Sequence, residues 1–369
     1  MDDPERGIHV LAIDRQQIKD RIEDKLRTLC SLHGVAGYED DVTAYVLKEL
    51  DQLVDEATVD PLGNILAKKR GNGKKSLMIA AHLDEIGLMV RHIDERGFLY
   101  AVNVGGIRPQ NLFARTCLVK TEKGLVKGLI NSVNPGRPKA MTTIPEVGEF
   151  FIDLGVTSRE EAEKLGVEIG NTVAIQYDFD ILGNKVVGKA LDNRLLVFIL
   201  LEVLHLLRET GIETLDLYPV FTVQEEVGCR GARAAAYTLN PDMAVALDIT
   251  VANDTPQIPS HERITQLDKG PAIKLIDKIP SGIGMIASSK MVGLMKRTAS
   301  KYNIQHQLEV FMAGSTDAGT IHLERGGIPS GGILVPTRYV HAHEMASIDD
   351  IVETISLLYH FIAEVTQEQ

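Results

Sequence analysis

Glu225 and Glu226 sit side by side at the end of an apolar stretch, Val220-Phe221-Thr222-Val223-Gln224-Glu225-Glu226-Val227-Gly228. The β-branched and aromatic residues ahead of them predict a strand, and Gly228 predicts a turn after it. Neighbouring side chains on a strand point to opposite faces, so the two acids can serve one site only if the strand has already ended. On its own a Glu-Glu pair reads as a solvated loop. Its company changes that reading. Four predicted strands or their exits finish in potential ligands: His82 with Asp84, Glu225 with Glu226, Asp248, and His341. Asp192 stands at the mouth of a predicted helix. Each alone has an ordinary explanation: Asp192 as a helix N-cap, either histidine as a hydrogen-bonded structural residue, Asp248 as the start of a turn. Together they set five acids and two imidazoles along the carboxyl edge of one sheet, where open α/β sheets hold their ligands.

Carboxylates gathered at that density repel one another, and without compensation some would stay protonated. Divalent cations remove the difficulty. Imidazole and carboxylate donors with no thiolate among them suit zinc, cobalt or manganese and argue against a structural cysteine site. A pair of metals bridged by one carboxylate is the arrangement that uses every ligand.

Such a site needs particular elements to deliver it. Residues 76–81 are almost wholly apolar and predict a buried parallel strand, which ends in His82-Leu83-Asp84-Glu85. Ahead of it, Asp14 caps a helix predicted to run to about Leu32, with Ile18, Ile22, Leu26 and Leu29 on one stripe. Glu39-Asp40-Asp41 opens a second helix with Val42, Val46 and Leu50 inward. A loosely held leader is expected at residues 1–13. After Lys189 an α/β alternation predicts an apolar helix from Asp192-Asn193-Arg194 to about Leu207, and strands at 217–223, 243–246, 307–311 and 330–335. Helices are expected near 232–238 and 289–302, after Gly314-Ser315-Thr316-Asp317, and over 349–365. Between residues 87 and 183 the texture differs. Short alternating segments at 97–104, 114–120, 125–132 and 172–177 predict a small β-barrel or sandwich, with loops at 108–109 and 133–138 and one helix at 158–165. The predicted fold is therefore α/β: a doubly wound, mixed-sheet catalytic domain made of residues 1–86 and 184–369, with a small β-barrel-like domain, 87–183, inserted into it.

Length and composition agree with this. The 369 residues, 44% hydrophobic and 24% charged, suffice for a sizeable core. A net charge of -12 argues against nucleic acid or an anionic membrane as the main partner. The most apolar run, 195–207, is interrupted by Glu202 and His205 and is too short to span a bilayer. Cys30, Cys117 and Cys229 are odd in number and scattered, which predicts a reducing compartment. No secretory signal is apparent, so a cytoplasmic protein is expected.

Six segments carry a resemblance: Ala81-His82-Leu83-Asp84-Glu85-Ile86-Gly87, Ala190-Leu191-Asp192-Asn193-Arg194, Gln224-Glu225-Glu226-Val227-Gly228, Ala246-Leu247-Asp248, Gly314-Ser315-Thr316-Asp317-Ala318 and Pro336-Thr337-Arg338-Tyr339-Val340-His341. In this order, across nearly the whole chain, they resemble the TET-type metallo-aminopeptidases, which include deblocking and glutamyl aminopeptidases and members once labelled endoglucanases. The resemblance implies that Asp192 bridges two metals, that His82 and Asp248 complete one coordination sphere, and that Glu226 and His341 complete the other. It implies Glu225 as general base, and Asp84 as the acceptor that orients the His82 ring. It also implies a cis peptide after Asp192, peptide substrates, and a homo-oligomer, a hollow dodecamer built from dimers, with the inserted β domain making many of the contacts.

Some residues depart from that pattern. Cys229 stands where the family more often has a bulky aliphatic residue, and its thiol is a possible extra ligand. His343 is a rival to His341. His261, His306 and His322 read as surface or core residues, and Asp317 as a helix cap. Pocket specificity is expected from the loops at 253–263 and 277–289. Two other functions remain open: a metal-independent glycoside hydrolase using Glu225 and a second carboxylate, against which the absence of Trp counts, and a non-catalytic assembly or metal-storage shell.

Overall fold

Ser76–His82 is buried along nearly its whole length, as a strand apolar on both faces must be. Asp216–Thr222 and Met243–Val251 flank it and run parallel to it, and Ser330–Arg338 runs parallel beside Met243–Val251. This quartet forms the centre of an 11-stranded mixed sheet in the computed structural model, which describes residues 13–132, 144–278 and 282–368. The leader expected at residues 1–13 lies, but for Ile13, outside the described residues, as does the loop at 133–138. Beyond the quartet the sheet turns antiparallel. Ile65–Lys68 and Glu56–Val59 extend one side, while Glu344–Ser347, Lys185–Gly188 and Asp180–Leu182 extend the other. Ala272–Asp277 pairs with both Ser330–Arg338 and Gln307–Phe311.

Helices cover both faces. The helix Leu191–Thr210 is buried through most of its length against Ser76–His82, Met243–Val251 and the last helix, Ile348–Gln367. A helix so apolar all round can only be a core element. The amino-terminal helical segment joins the same layer. Asp14 accepts from the backbone N–H groups of Gln16 and Gln17, and Ile18, Ile22, Leu26 and Leu29 are buried, as their spacing predicts. One turn of it, Ile22–Leu26, is a wider π turn. On the opposite face, Arg230–Leu239 presents Ala232, Ala235 and Ala236 to Met78, Ala80 and Val220, and these small side chains allow close approach.

A second core lies in the inserted part. Gly87–Ile93, Leu99–Val104, Phe151–Asp153, Gly124–Asn131, Arg115–Thr121 and Thr172–Ile175 close, in that order, into a barrel filled by Leu88, Val90, Val119, Ile130, Ile152 and their neighbours. Sequence patterning misses two of these strands: Gly87–Ile93, whose alternation is broken by a register shift near Arg91, and Phe151–Asp153, which is only 3 residues long. It also misses Ala272–Asp277, and it ends one strand at Asp248, whereas Met243–Val251 runs past it. The chain is already back on the large sheet at Asp180–Leu182.

Where the chain leaves the large domain, a buried ion pair ties the exit to the end of Lys185–Gly188, the second strand after its return. Lys189 Nζ donates to both Glu85 carboxylate oxygens, at 2.7 and 2.6 Å, and to the Leu32 carbonyl at 3.3 Å. Arg194 lies 3.8 Å from the same carboxylate, and all three side chains are buried. Removing the acid strands two cations in low dielectric. Glu85→Ala is therefore expected to cost about 3–5 kcal/mol of stability, read as a lower denaturant midpoint; an unchanged midpoint would show that the pair does not hold the crossing.

Candidate metal centre

The strand Asp216–Thr222 stops short of the paired acids. Gln224 turns the chain with φ 57°, and Gly228 continues the turn with φ 120°, so Glu225 and Glu226 both line one cavity. The other groups reach that cavity from neighbouring elements. His82 is the last residue of its strand, Asp248 lies within Met243–Val251, and His341 follows Ser330–Arg338. Asp192 sits where the backbone departs from helical geometry at the start of Leu191–Thr210, and the Asp192–Asn193 peptide is cis.

Asp192 stands between the two histidines. Its Oδ1 is 3.1 Å from His82 Nε2, and its Oδ2 is 3.4 Å from His341 Nε2. Asp248 Oδ1 lies 3.8 Å from His82 Nε2, and Glu226 Oε2 lies 3.3 Å from His341 Nε2. Two groups result, His82–Asp192–Asp248 and Asp192–Glu226–His341, each with its ligand atoms within 4.8 Å of one another. They share Asp192. Glu225 belongs to neither, although its Oε2 is 3.9 Å from His82 Nε2.

Other carboxylates hold the backbone of these residues. The resemblance gives the Asp84 carboxylate the His82 ring N–H, but His82 Nδ1 lies nearer the Asp84 backbone carbonyl, at 3.2 Å, than its Oδ1, at 3.5 Å. The Asp84 carboxylate accepts instead from the backbone N–H groups of Glu225 and Glu226, at 2.9 and 3.0 Å. Glu344 plays the matching part opposite, accepting from the N–H of Asp192 at 3.0 Å and of His341 at 2.8 Å. Sequence reasoning misses Glu344. Its one signal is an acid closely following a candidate ligand histidine, which is common and weak. His341 Nδ1 donates to the Gly106 carbonyl at 3.1 Å, leaving Nε2 to face Asp192 and Glu226. Gly106 is needed there, because a Cβ would fall 2.9 Å from that ring nitrogen.

The electrostatics fit a cation pair. Burial pulls the imidazoles down, yet Asp192, Asp248 and Asp84 hold His82 well above its ordinary value, and Glu226 and Asp192 lift His341 to about 12. Burial raises Asp248 to about 7, with Asp192 adding to it. Glu225 is pushed well above the usual carboxylate range by burial and by Asp248, Asp317 and Glu226. Only Asp192 goes the other way: burial opposes it, but the His341 and His82 rings hold it well below. Protons thus crowd a site whose donors are imidazole and carboxylate, and Glu226 Oε1 is buried with no hydrogen-bond partner among the described residues. Dications would replace those protons.

The remaining candidates go elsewhere. His343 Nε2 pairs with the Asp178 carbonyl at 2.8 Å and the ring stacks on Tyr177, away from both groups. His261 is exposed, and His306 and His322 pair with nearby carbonyls. Asp317 makes no side-chain cap; its Oδ2 accepts from the Thr222 hydroxyl at 2.5 Å, against the site. The cavity, about 340 Å³, is walled by Arg108, Thr250, Lys274, Phe311 and Ser315 among others, and none of the described residues within 253–263 or 277–289 lines it. The expected specificity loops are thus not its walls among the described residues.

Residues 63–357 match the family model described as M42 glutamyl aminopeptidase. A putative aminopeptidase of Acetivibrio thermocellus is 40% identical over 340 residues, covering 92% of this chain and 98% of its own. Among solved structures, the TET aminopeptidase of the marine sediment archaeon Thaumarchaeota archaeon SCGC AB-539-E09 has a TM-score of 0.90 at 34% identity, covering 95% and 98% of the two chains. Pyrococcus horikoshii TET1 peptidase, which can assemble into a tetrahedron or a large octahedral shell, has a TM-score of 0.81 at 27% identity, covering 92% and 99%.

Two predictions come from this geometry. Free of dications, the folded protein holds protons that the unfolded chain has released. Asp248 keeps its proton up to about 7 and the imidazoles keep theirs far above the ordinary histidine value. Both effects make stability fall as pH rises, while lowered Asp192 acts oppositely only at strongly acid pH. The thermal midpoint of chelator-treated protein should therefore drop between about pH 5 and pH 8, and Zn2+ should raise it more at the upper pH; a greater rise at the lower pH would contradict this. Glu344→Ala, which frees the backbone of both Asp192 and His341, should weaken metal retention by roughly 10–100-fold against a competing chelator.

Proposed function

Because this chain belongs to the M42 glutamyl aminopeptidase family, we propose that it is a di-metal aminopeptidase that removes amino-terminal residues from peptides. The observation that carries the metal part of this reading is the shared carboxylate, with Asp192 offering one oxygen to the His82 side and the other to the His341 side. His82, Asp192 and Asp248 would hold one dication, and Asp192, Glu226 and His341 the other, with zinc or cobalt best suited to these donors and manganese possible. Bound there, the pair would supply Lewis-acid polarisation of the scissile carbonyl and a more acidic water.

The chain's own groups do the rest. Glu225 lies outside both ligand sets and lines the cavity, so it is free to take a proton from the attacking water and pass it to the leaving amine. Asp84 fixes the turn that aims Glu225 and Glu226, and Glu344 fixes Asp192 and His341. Both act as positioning residues.

A metal-independent glycoside hydrolase needs two carboxyl groups flanking a sugar bond; here the acids close in on imidazoles, and the family membership is that of a peptidase. A non-catalytic shell would have no use for an acid set beside two complete ligand groups.

Assembly into a homo-oligomer, a dodecamer built from dimers, is part of the proposal. The inserted domain at 87–183 exposes Val102, Leu125, Leu129 and Ile169, apolar surface suited to contacts between copies. Among the described residues no helix is long and apolar enough to cross a membrane, and the net charge of -12 disfavours nucleic acid.

Paired substitutions test the roles. Glu225→Gln should lower kcat at least ~100-fold while both metals remain bound, whereas Glu226→Gln and Asp192→Asn should lower metal content itself. Metal analysis beside peptide turnover decides it; an emptied site in Glu225→Gln with a filled one in Glu226→Gln would reverse the assignment. Activity that survives exhaustive chelation would favour the glycosidase or another metal-free reading.

A further inference from the structure

Glu225 has neighbours that peptide hydrolysis does not use. Its Oε2 is the atom near His82, while its Oε1 accepts from the Cys229 thiol at 3.2 Å. Asp317 completes a third group, in which one ligand atom each from Glu225, Cys229 and Asp317 lie within 4.8 Å of one another. Asp317 is 3% exposed, and although its Oδ2 is taken by Thr222, its Oδ1 has no hydrogen-bond partner among the described residues. The Thr316 hydroxyl next to it is also buried and unpartnered. A buried carboxylate oxygen with nothing to accept is costly unless something fills its place. Glu225, Cys229 and Thr316 line the cavity, so the group is open to an ion arriving that way.

We propose that Glu225, Cys229 and Asp317 form a third cation site, for a thiophilic dication such as zinc or cadmium, whose filling takes Glu225 out of proton transfer. One sulfur and two carboxylates favour such ions over magnesium or manganese. On binding, the ion replaces the thiol proton, which passes to water. The inhibitory effect rests on the reading of Glu225 as general base; the site itself does not. The same metal would then serve at low concentration and inhibit at high concentration, because the third site has one fewer imidazole than either of the other two and fills last.

The test is a Cd2+ titration of protein already holding two equivalents of Zn2+, followed by total bound metal, thiolate-to-cadmium absorption in the ultraviolet, and peptide turnover. Wild type should take up a third equivalent with the absorption band, and turnover should fall as the band grows. Cys229→Ala should stop at two equivalents without that band; Cys30 and Cys117 are buried elsewhere, and the difference spectrum removes them. Asp317→Asn keeps the thiol and should weaken the third equivalent by roughly tenfold or more. No third equivalent in wild type, or an equal band in Cys229→Ala, overturns the site. A band that grows while turnover stays constant overturns the inhibition. If the protein cleaves no peptide at all, the band and the metal count still decide whether the site exists, so the two readings fail separately.

Discussion

Burying several carboxylates within a few ångströms of one another is the constraint that the rest of the active edge answers. In low dielectric each charge needs a partner close at hand. Asp192 obtains two, one imidazole on each oxygen. Asp84 and Glu344 obtain theirs from pairs of backbone N–H groups, which stabilise an acid without bringing in another charge. Burial and neighbouring acids raise the proton affinity of Asp248, Glu225 and Glu226, a pressure that a bound dication pair would relieve. The same pressure explains why the site sits on a parallel sheet. Four strands that all end on one side bring their terminal side chains together without loops having to reach far.

Positioning and ligation are divided between different acids. The residues facing the cations are fixed less by their own side chains than by what grips their backbone. Asp84 holds the turn carrying Glu225 and Glu226, and Glu344 holds both Asp192 and its own near neighbour His341. Asp84 grips 225 and 226, and Glu344 grips 192, across long stretches of sequence, while Glu344 holds 341 within one local turn, so the geometry of the edge depends on the large domain being folded. The Glu85–Lys189 pair extends that dependence to the point where the chain leaves for the barrel.

Much of this arrangement is legible in the amino-acid sequence. His82, Asp192, Glu225, Glu226, Asp248 and His341 stand out because an apolar strand that ends in a polar, ligating residue is an unusual juxtaposition, and the fold brings all of them to one edge. The apolar stripe of residues 18, 22, 26 and 29 and the all-apolar run at 76–81 read directly into buried elements. The misses have their own physical causes. Gly87–Ile93 loses its alternation at a register shift near Arg91, and Ala272–Asp277 carries a charge accommodated only by tertiary packing: Lys274 is buried between Asp277 and Glu309, which no local pattern announces. Asp317 reads as a helix cap because it precedes a helix, but its carboxylate is drawn to Thr222 on the neighbouring strand. Glu344 is invisible to pattern because its role is exerted on main-chain atoms, and residue type at the receiving positions says nothing about that.

The two halves of the site are unequally anchored. His82 and Asp248 belong wholly to the large sheet, whereas His341 leans its ring on the Gly106 carbonyl, which is supplied by the inserted barrel. A displacement of the barrel relative to the sheet would tilt the His341 ring and leave His82 where it is. The His341 side of the site therefore depends, through a single main-chain oxygen, on where the barrel sits against the sheet, and the His82 side does not.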